Sequence, residues 1–164
     1  MKIYIVIPAH NEQEYIAKTL ESLANQLLKP AQVVVVNDNS SDRTAEIVND
    51  FIQENVWIQQ VQKKSSEEHL PGAKIVEAFY EGYRVLDQDY DIICKYDADI
   101  VFETNYLLRL SQHFKKNDKL GMVSGHCYIQ KGDQWTLENL NKENHIRGAL
   151  KAYRKECFLE IGKI

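Results

Sequence analysis

Ile92-Ile93-Cys94-Lys95-Tyr96-Asp97-Ala98-Asp99-Ile100-Val101 is a short apolar run that delivers two aspartates, one residue apart, to its end. Like charges beside a buried strand, in a medium of reduced dielectric, need a cation to neutralise them. Mg²⁺ and Mn²⁺ suit that role, since they take hard oxygen ligands and are commonly held by one or two carboxylates plus the phosphates of a substrate. The D-x-D therefore reads as a metal–diphosphate site. The plainer reading makes Asp97 and Asp99 turn and helix-capping residues, and only the wider chain can decide between the two.

The chain has 164 residues, a length that suits about one domain able to bury roughly two thirds of its unfolded surface. Apolar residues make up 44% and charged residues 27%, as in ordinary globular proteins. The net charge is −4 with no basic block, so a nucleic-acid partner has little electrostatic support. Cys94, Cys127 and Cys157 lie far apart beside apolar or aromatic neighbours, as buried thiols do. They form neither a disulfide framework nor a zinc pattern, which fits a reducing cytoplasm.

At the amino end, Lys2 precedes Ile3-Tyr4-Ile5-Val6-Ile7, and Pro8, His10, Asn11 and Glu12 stop the run. It is too short for a signal core or a membrane span and reads as a buried strand over about 2–8. Asn11 and Glu14 have the spacing of a capping box. Ile16, Leu20, Leu23 and Leu27 then recur at helical spacing until Lys29-Pro30. Val33-Val34-Val35-Val36 is apolar on both faces, as in a central parallel strand covered by helices, and ends in Asn37-Asp38-Asn39-Ser40-Ser41-Asp42. A helix with Ala45, Val48, Phe51 and Ile52 on one face follows, then a strand near 56–61, completing β-α-β-α-β. Polar residues 62–72, with Lys63 and Lys64, read as a loop closed by Pro71-Gly72. A helix over 73–86 turns Val76, Phe79, Tyr80 and Tyr83 inward and leads to the D-x-D strand. Beyond it, Thr104 is placed to cap a helix with Leu107, Leu110, Ser111 and Phe114 on one face, and 121–129 reads as a further strand.

Ligands of open α/β sheets bind outside the carboxyl ends of the parallel strands. Three such ends carry polar clusters here: 8–12, 37–42 and the D-x-D. Each alone could be a cap or a solvated turn. A parallel sheet would bring all three to one rim, where amides and carboxylates suit a base and ribose and a cation suits a diphosphate.

The stretches V-I-P-A-H-N-E, V-V-V-N-D-N-S-S-D-R-T, P-G-A-K-I-V-E-A and Y-D-A-D-I, in this order and spacing, resemble the signatures of family 2 glycosyltransferases, over essentially the whole chain. The resemblance implies an α/β GT-A fold, Rossmann-like, with a mixed, mainly parallel sheet and helices on both faces. It implies one domain, with 1–101 binding the nucleotide sugar and 102–164 beginning the acceptor side. Pro8, Ala9, His10, Asn11 and Glu12 would line the base and ribose, Asp38 would bond the base, and Lys74 would lie near the diphosphate or ribose. Asp97 and Ala98 would meet the nucleotide, and Asp97 and Asp99 would hold Mn²⁺ or Mg²⁺. As the sugar departs, charge develops on the β-phosphate, and a bound cation stabilises it.

The segment from His145 to Gly162 resembles the family's acceptor-lining strand and helix. The acidic general base that usually follows matches no residue up to Ile164, so the expectation is a truncated chain with the base beyond it, ending on Gly162-Lys163-Ile164. Exposed apolar surface and self-association are expected there. The implied reaction is inverting transfer from a UDP- or GDP-linked sugar to a lipid-linked glycan, a polysaccharide or a protein, in the cytoplasm or peripherally at the inner face of the membrane. Two alternatives stand beside it. One is a non-catalytic nucleotide-sugar-binding module. The other is a metal-dependent phosphotransferase of the haloacid-dehalogenase kind, which would need its D-x-D on the first strand.

Overall fold

The computed structural model describes residues 1–64, 72–138 and 146–162. They run β1 (Ile3–Ala9), α1 (Ile16–Ala24), β2 (Gln32–Asp38), α2 (Thr44–Glu54), β3 (Ile58–Lys63), α3 (Ala73–Arg84), β4 (Ile92–Tyr96), α4 (Tyr106–Lys116), β5 (Met122–Val123), β6 (Tyr128–Lys131), β7 (Gln134–Leu137), β8 (Leu150–Arg154) and α5 (Lys155–Ile161). Pro71, His145, Lys163 and Ile164, named above, lie outside the described residues.

Six strands form one sheet in the order β3-β2-β1-β4-β8-β5. β1 pairs in parallel with β2 and β4, and β2 with β3, whereas β8 is antiparallel to both β4 and β5. The sheet is therefore mixed and mainly parallel. The central strands β1 and β2 are apolar on both faces because helices cover both. Ile3, Ile5, Ile7, Val33, Val35, Ile92 and Cys94 meet Leu20 and Leu23 of α1, Val48 of α2 and Leu107, Leu110 and Phe114 of α4. The alternate residues Tyr4, Val6, Val34, Val36 and Ile93 meet Ala78 and Phe79 of α3 and Phe158 of α5. Among the described residues no helix is long and apolar enough to cross a membrane.

Local expectations and tertiary contacts part company at several ends. The capping box at Asn11 and Glu14 does not form: α1 begins only at Ile16 after Tyr15, with no side-chain cap. The helix also stops at Ala24, leaving Leu27 68% exposed while its N–H reaches the Thr104 carbonyl at 2.8 Å. Thr104 does not cap α4. Instead Gln26, two residues beyond the end of α1, accepts the Leu107 N–H at 2.9 Å and takes up one of the unpaired amides of that helix start. Arg154 serves the other end of α4, donating to the Phe114 carbonyl at 2.7 Å and the Asn117 carbonyl at 3.0 Å.

The third strand starts two residues later than expected, with Val56 98% exposed ahead of it. The stretch expected as one strand over 121–129 is two pieces. Met122 and Val123 pair with β8 at the sheet edge, and the chain then leaves to form the β6–β7 hairpin around a tight turn with Gly132 at φ 61°. Cys94 is buried as expected, while Cys127 and Cys157 are half-buried.

Gly82 marks the closest approach of helix to sheet: a Cβ there would lie 2.6 Å from a Val6 methyl and 2.7 Å from a Val36 methyl. Alanine is the better helix former by about 1 kcal/mol, but both valines are fully buried and cannot move aside. We expect Gly82→Ala to lower stability by a net ~1–2 kcal/mol in urea denaturation; a gain in stability would show that α3 can slide outward.

Candidate functional site

Because β1, β2 and β4 are parallel, the loops after Ala9, Asp38 and Tyr96 open on one rim of the sheet. α3 leads from the end of β3 back to the start of β4, so its amino end, with Lys74 at the second helical position, belongs to the same rim. The expected site residues are thus brought to one side of the sheet.

The first two loops are sewn to each other. Asn11 sits in the left-handed region at φ 56°, where asparagine is tolerated better than most residues. That turn aims its side chain across the rim, so that Asn11 Oδ1 accepts the Ser41 N–H at 2.8 Å while its own N–H donates to Ser40 Oγ at 3.0 Å. The Glu12 N–H donates to Thr44 Oγ1 at 2.8 Å, and the Gln13 N–H to Asp42 Oδ2 at 3.1 Å. His10 donates from Nδ1 to the Asp38 carbonyl at 2.6 Å, which leaves Nε2 facing the Asn11 amide at 3.3 Å. Asn11 is therefore a cross-loop bridge rather than a helix cap.

Asp38 is buried, and its carboxylate lies 3.4 Å from the Lys63 ammonium, which is also 3.4 Å from Glu77 of α3. Lys63, expected in a polar loop, is the last residue of β3 and stands in register with Asp38. It is a site residue that local sequence reading missed. The helpful signal would have been a lysine two residues after Val61, opposite a strand ending in aspartate.

The third loop is held by α1. Thr19 Oγ1 donates to the Ala98 carbonyl at 2.6 Å, Ser22 Oγ accepts the Phe102 N–H at 3.1 Å, and Gln26 donates to the Glu103 carbonyl at 2.8 Å. All three side chains are buried. Asp97 is partly exposed and Asp99 exposed. Asp97 is ion-paired with Lys95 of β4, and its N–H donates to the Ala149 carbonyl at 3.0 Å, just ahead of β8. On the same side, Arg147 is ion-paired with Glu138 at the end of β7.

Electrostatics show that these carboxylates share a neighbourhood. Glu12 is held above the usual glutamate range, first by burial and then by the charges of Asp99, Asp97 and Asp42, with His10 opposing. The thiol of Cys127 is pushed up by burial; Arg147 opposes this, and Glu138, Asp99 and Asp97 add to it. The rim thus carries surplus negative charge on hard oxygen donors, the chemistry a Mg²⁺ or Mn²⁺ ion relieves. Among the described residues no three His, Cys, Asp or Glu side chains converge as a closed metal cage. Asp97 and Asp99 supply carboxylate oxygens, the hard donors that suit Mg²⁺ or Mn²⁺ when water or a substrate completes the ligand set.

The sequence model of Glycosyl transferase family 2 matches residues 4–161. The chain belongs to glycosyl transferase family 2. It is 36% identical over 127 residues to the probable glycosyltransferase YdaM of Bacillus subtilis, a match that covers 76% of this chain and 29% of that relative. It is 30% identical over 132 residues to the poly-beta-1,6-N-acetyl-D-glucosamine synthase of Staphylococcus epidermidis, covering 78% of this chain and 29% of that protein. Among solved structures, S. aureus TarS 1-349 in complex with UDP superposes with a TM-score of 0.68 at 20% identity, covering 98% of this chain and 49% of that one. The mannosyltransferase PcManGT from Pyrobaculum calidifontis, in complex with GDP-Man and Mn2+, gives 0.72 at 17% identity, covering 99% and 47%. The fold is the GT-A fold of these solved structures, and the chain spans 29% of the length of the two curated relatives.

Glu12 provides a test of the shared acidic neighbourhood. Its folded-state pKa lies above the ordinary value of 4.5, so its contribution to stability is present below that value and is lost as pH rises through the folded pKa. We expect Glu12→Gln to melt higher than wild type at pH 7, with the difference closing by about pH 4. A constant difference across the range would mean that neither burial nor the aspartates raise the Glu12 carboxyl.

Proposed function

We propose that this chain is the donor-binding portion of an inverting glycosyltransferase that moves a sugar from a UDP- or GDP-linked donor. The observation that supports this most strongly is the convergence of three polar loops on one rim, with the D-x-D aspartates acting on Glu12, in a chain of family 2. In this reading 1–101 bind the nucleotide sugar and 102–164 begin the acceptor side. Pro8, Ala9, His10, Asn11 and Glu12 line the base and ribose, Asp38 bonds the base while Lys63 holds its carboxylate, and Lys74 lies near the diphosphate or ribose. Asp97 and Ala98 meet the nucleotide.

Asp97 and Asp99 would hold Mn²⁺ or Mg²⁺, which when bound would stabilise the charge left on the departing β-phosphate. The residues of the chain do the rest. They orient the base through backbone and carboxylate hydrogen bonds, fix the two aspartates through Thr19, Ser22 and Gln26, and bring residues 147–149 to the leaving-group side. In this reading the reaction runs in the cytoplasm, either free or peripheral to the inner face of the membrane, with a lipid-linked glycan, a polysaccharide or a protein as acceptor. Self-association would use apolar side chains that stand exposed on the acceptor side, Tyr128, Trp135 and Leu137 of the hairpin and Leu159 and Ile161 of α5.

Calorimetric titration of UDP, GDP and ADP, with and without Mn²⁺, tests the reading. We expect UDP or GDP to bind at least ~10-fold more tightly with the metal, a difference of about 1.4 kcal/mol, and ADP to bind weakly in both conditions. Asp99→Asn should remove most of the metal-dependent gain, and Asp38→Ala should weaken UDP more than bare diphosphate. Equal binding of all three nucleotides, or no dependence on Mn²⁺, would overturn it.

A further inference from the structure

Lys95 has no part in the reading above, yet it is a charged residue within a strand whose other members, Ile92, Ile93, Cys94 and Tyr96, are apolar and buried. It is only 7% exposed, and a buried ammonium is tolerated only when paired. Its Nζ is paired with Asp97 Oδ1 and donates to the Gly148 carbonyl at 3.1 Å. The ammonium therefore stands between one carboxylate of the D-x-D and the segment that enters β8.

Resting on the metal-site reading just given, we propose that Lys95 is the resident counter-ion of the D-x-D: it occupies the Asp97 carboxylate until a divalent cation displaces it. The argument is one of charge and ligand count. Asp97 and Asp99, with Glu12 within their electrostatic reach, make the rim strongly negative, and Lys95 supplies a single positive charge at one of them. A divalent ion would bring twice that charge to the pair of aspartates, and so would win the carboxylate. The Gly148 carbonyl then retains the released ammonium, so that displacement need not strand a bare cation in the interior. Lys95 acts through Asp97 and is a positioning residue, one that holds down affinity for the metal alone.

Mn²⁺ alone is the probe, with free ion counted by its paramagnetic resonance signal. Lys95→Met removes the competitor and should bind Mn²⁺ about tenfold more tightly than wild type, whereas Lys95→Arg, which restores the cation, should stay within about twofold of wild type. A methionine variant that binds no more tightly than wild type, or an arginine variant that binds as tightly as the methionine variant, overturns the proposal. Wild type also carries a test that needs no variant. In protein labelled at the lysine ε-carbons, Mg²⁺ should shift the Lys95 resonance saturably, and a resonance that does not respond while Mg²⁺ binds overturns the proposal as well. Failure of wild type to bind either ion, with or without UDP or GDP, overturns both this proposal and the metal site beneath it. Binding by wild type with no effect of Lys95 overturns this proposal alone.

Discussion

A parallel sheet aims all its carboxyl ends the same way, and the rest of this molecule answers to that directional constraint. β1, β2 and β4 are buried on both faces, so their polar endings cannot be spread over the surface and arrive together. The result is a rim on which Glu12, Asp38, Asp97 and Asp99 coexist. Two of these are answered by lysines, Asp38 by Lys63 of the neighbouring strand β3 and Asp97 by Lys95 of β4, the strand that it follows. Asp99 is exposed, and its charge reaches Glu12 and Cys127. Charges of one sign close together outside low-dielectric strands demand compensation, and the fold provides part of it from within.

The loops that carry these charges are short of regular structure but not of fastening. Asn11, Thr44 and Asp42 link the first loop to the second through backbone amides. Thr19 and Ser22 of α1, with Gln26 just past its end, fix the third from Ala98 to Leu107. α1 starts directly after the first loop, so one helix connects the loop assigned to the base with the loop assigned to the metal. A hydrogen bond of this kind contributes only about 1 kcal/mol net, but an unpaired buried backbone group costs more. The arrangement therefore specifies one loop geometry more than it adds stability.

Much of this was legible in the residues themselves. Runs such as Val33-Val34-Val35-Val36, apolar on both faces, imply a covered parallel sheet, and the polar endings of three strands imply a common rim. The inward faces of the helices were legible too: Leu107, Leu110, Ser111 and Phe114 are buried together. What escaped local reading depends on partners distant in the chain. Asn11 and Glu14 satisfy a local capping pattern, yet Asn11 is taken by Ser41, 30 residues on. Thr104 is a good cap by type, but Gln26 reaches α4 from 81 residues away. Lys95 looks like an accident in an apolar run until Gly148, 53 residues later, is seen beside it. Periodicity and turn chemistry record what each segment prefers alone, and the site is built where tertiary contacts overrule those preferences.

The antiparallel setting of β8 has a consequence of its own. A strand that runs against its neighbour reaches the rim with its first residue instead of its last, so this edge of the sheet receives an incoming chain as well as outgoing ones. The incoming chain is pinned at its point of entry, where the Ala149 and Gly148 carbonyls meet Asp97 and Lys95. A shift of that pin would act directly on Asp97 and Lys95, while the loops after β1 and β2 are fastened to each other by bonds of their own. One sheet thus offers its rim two separate anchorages.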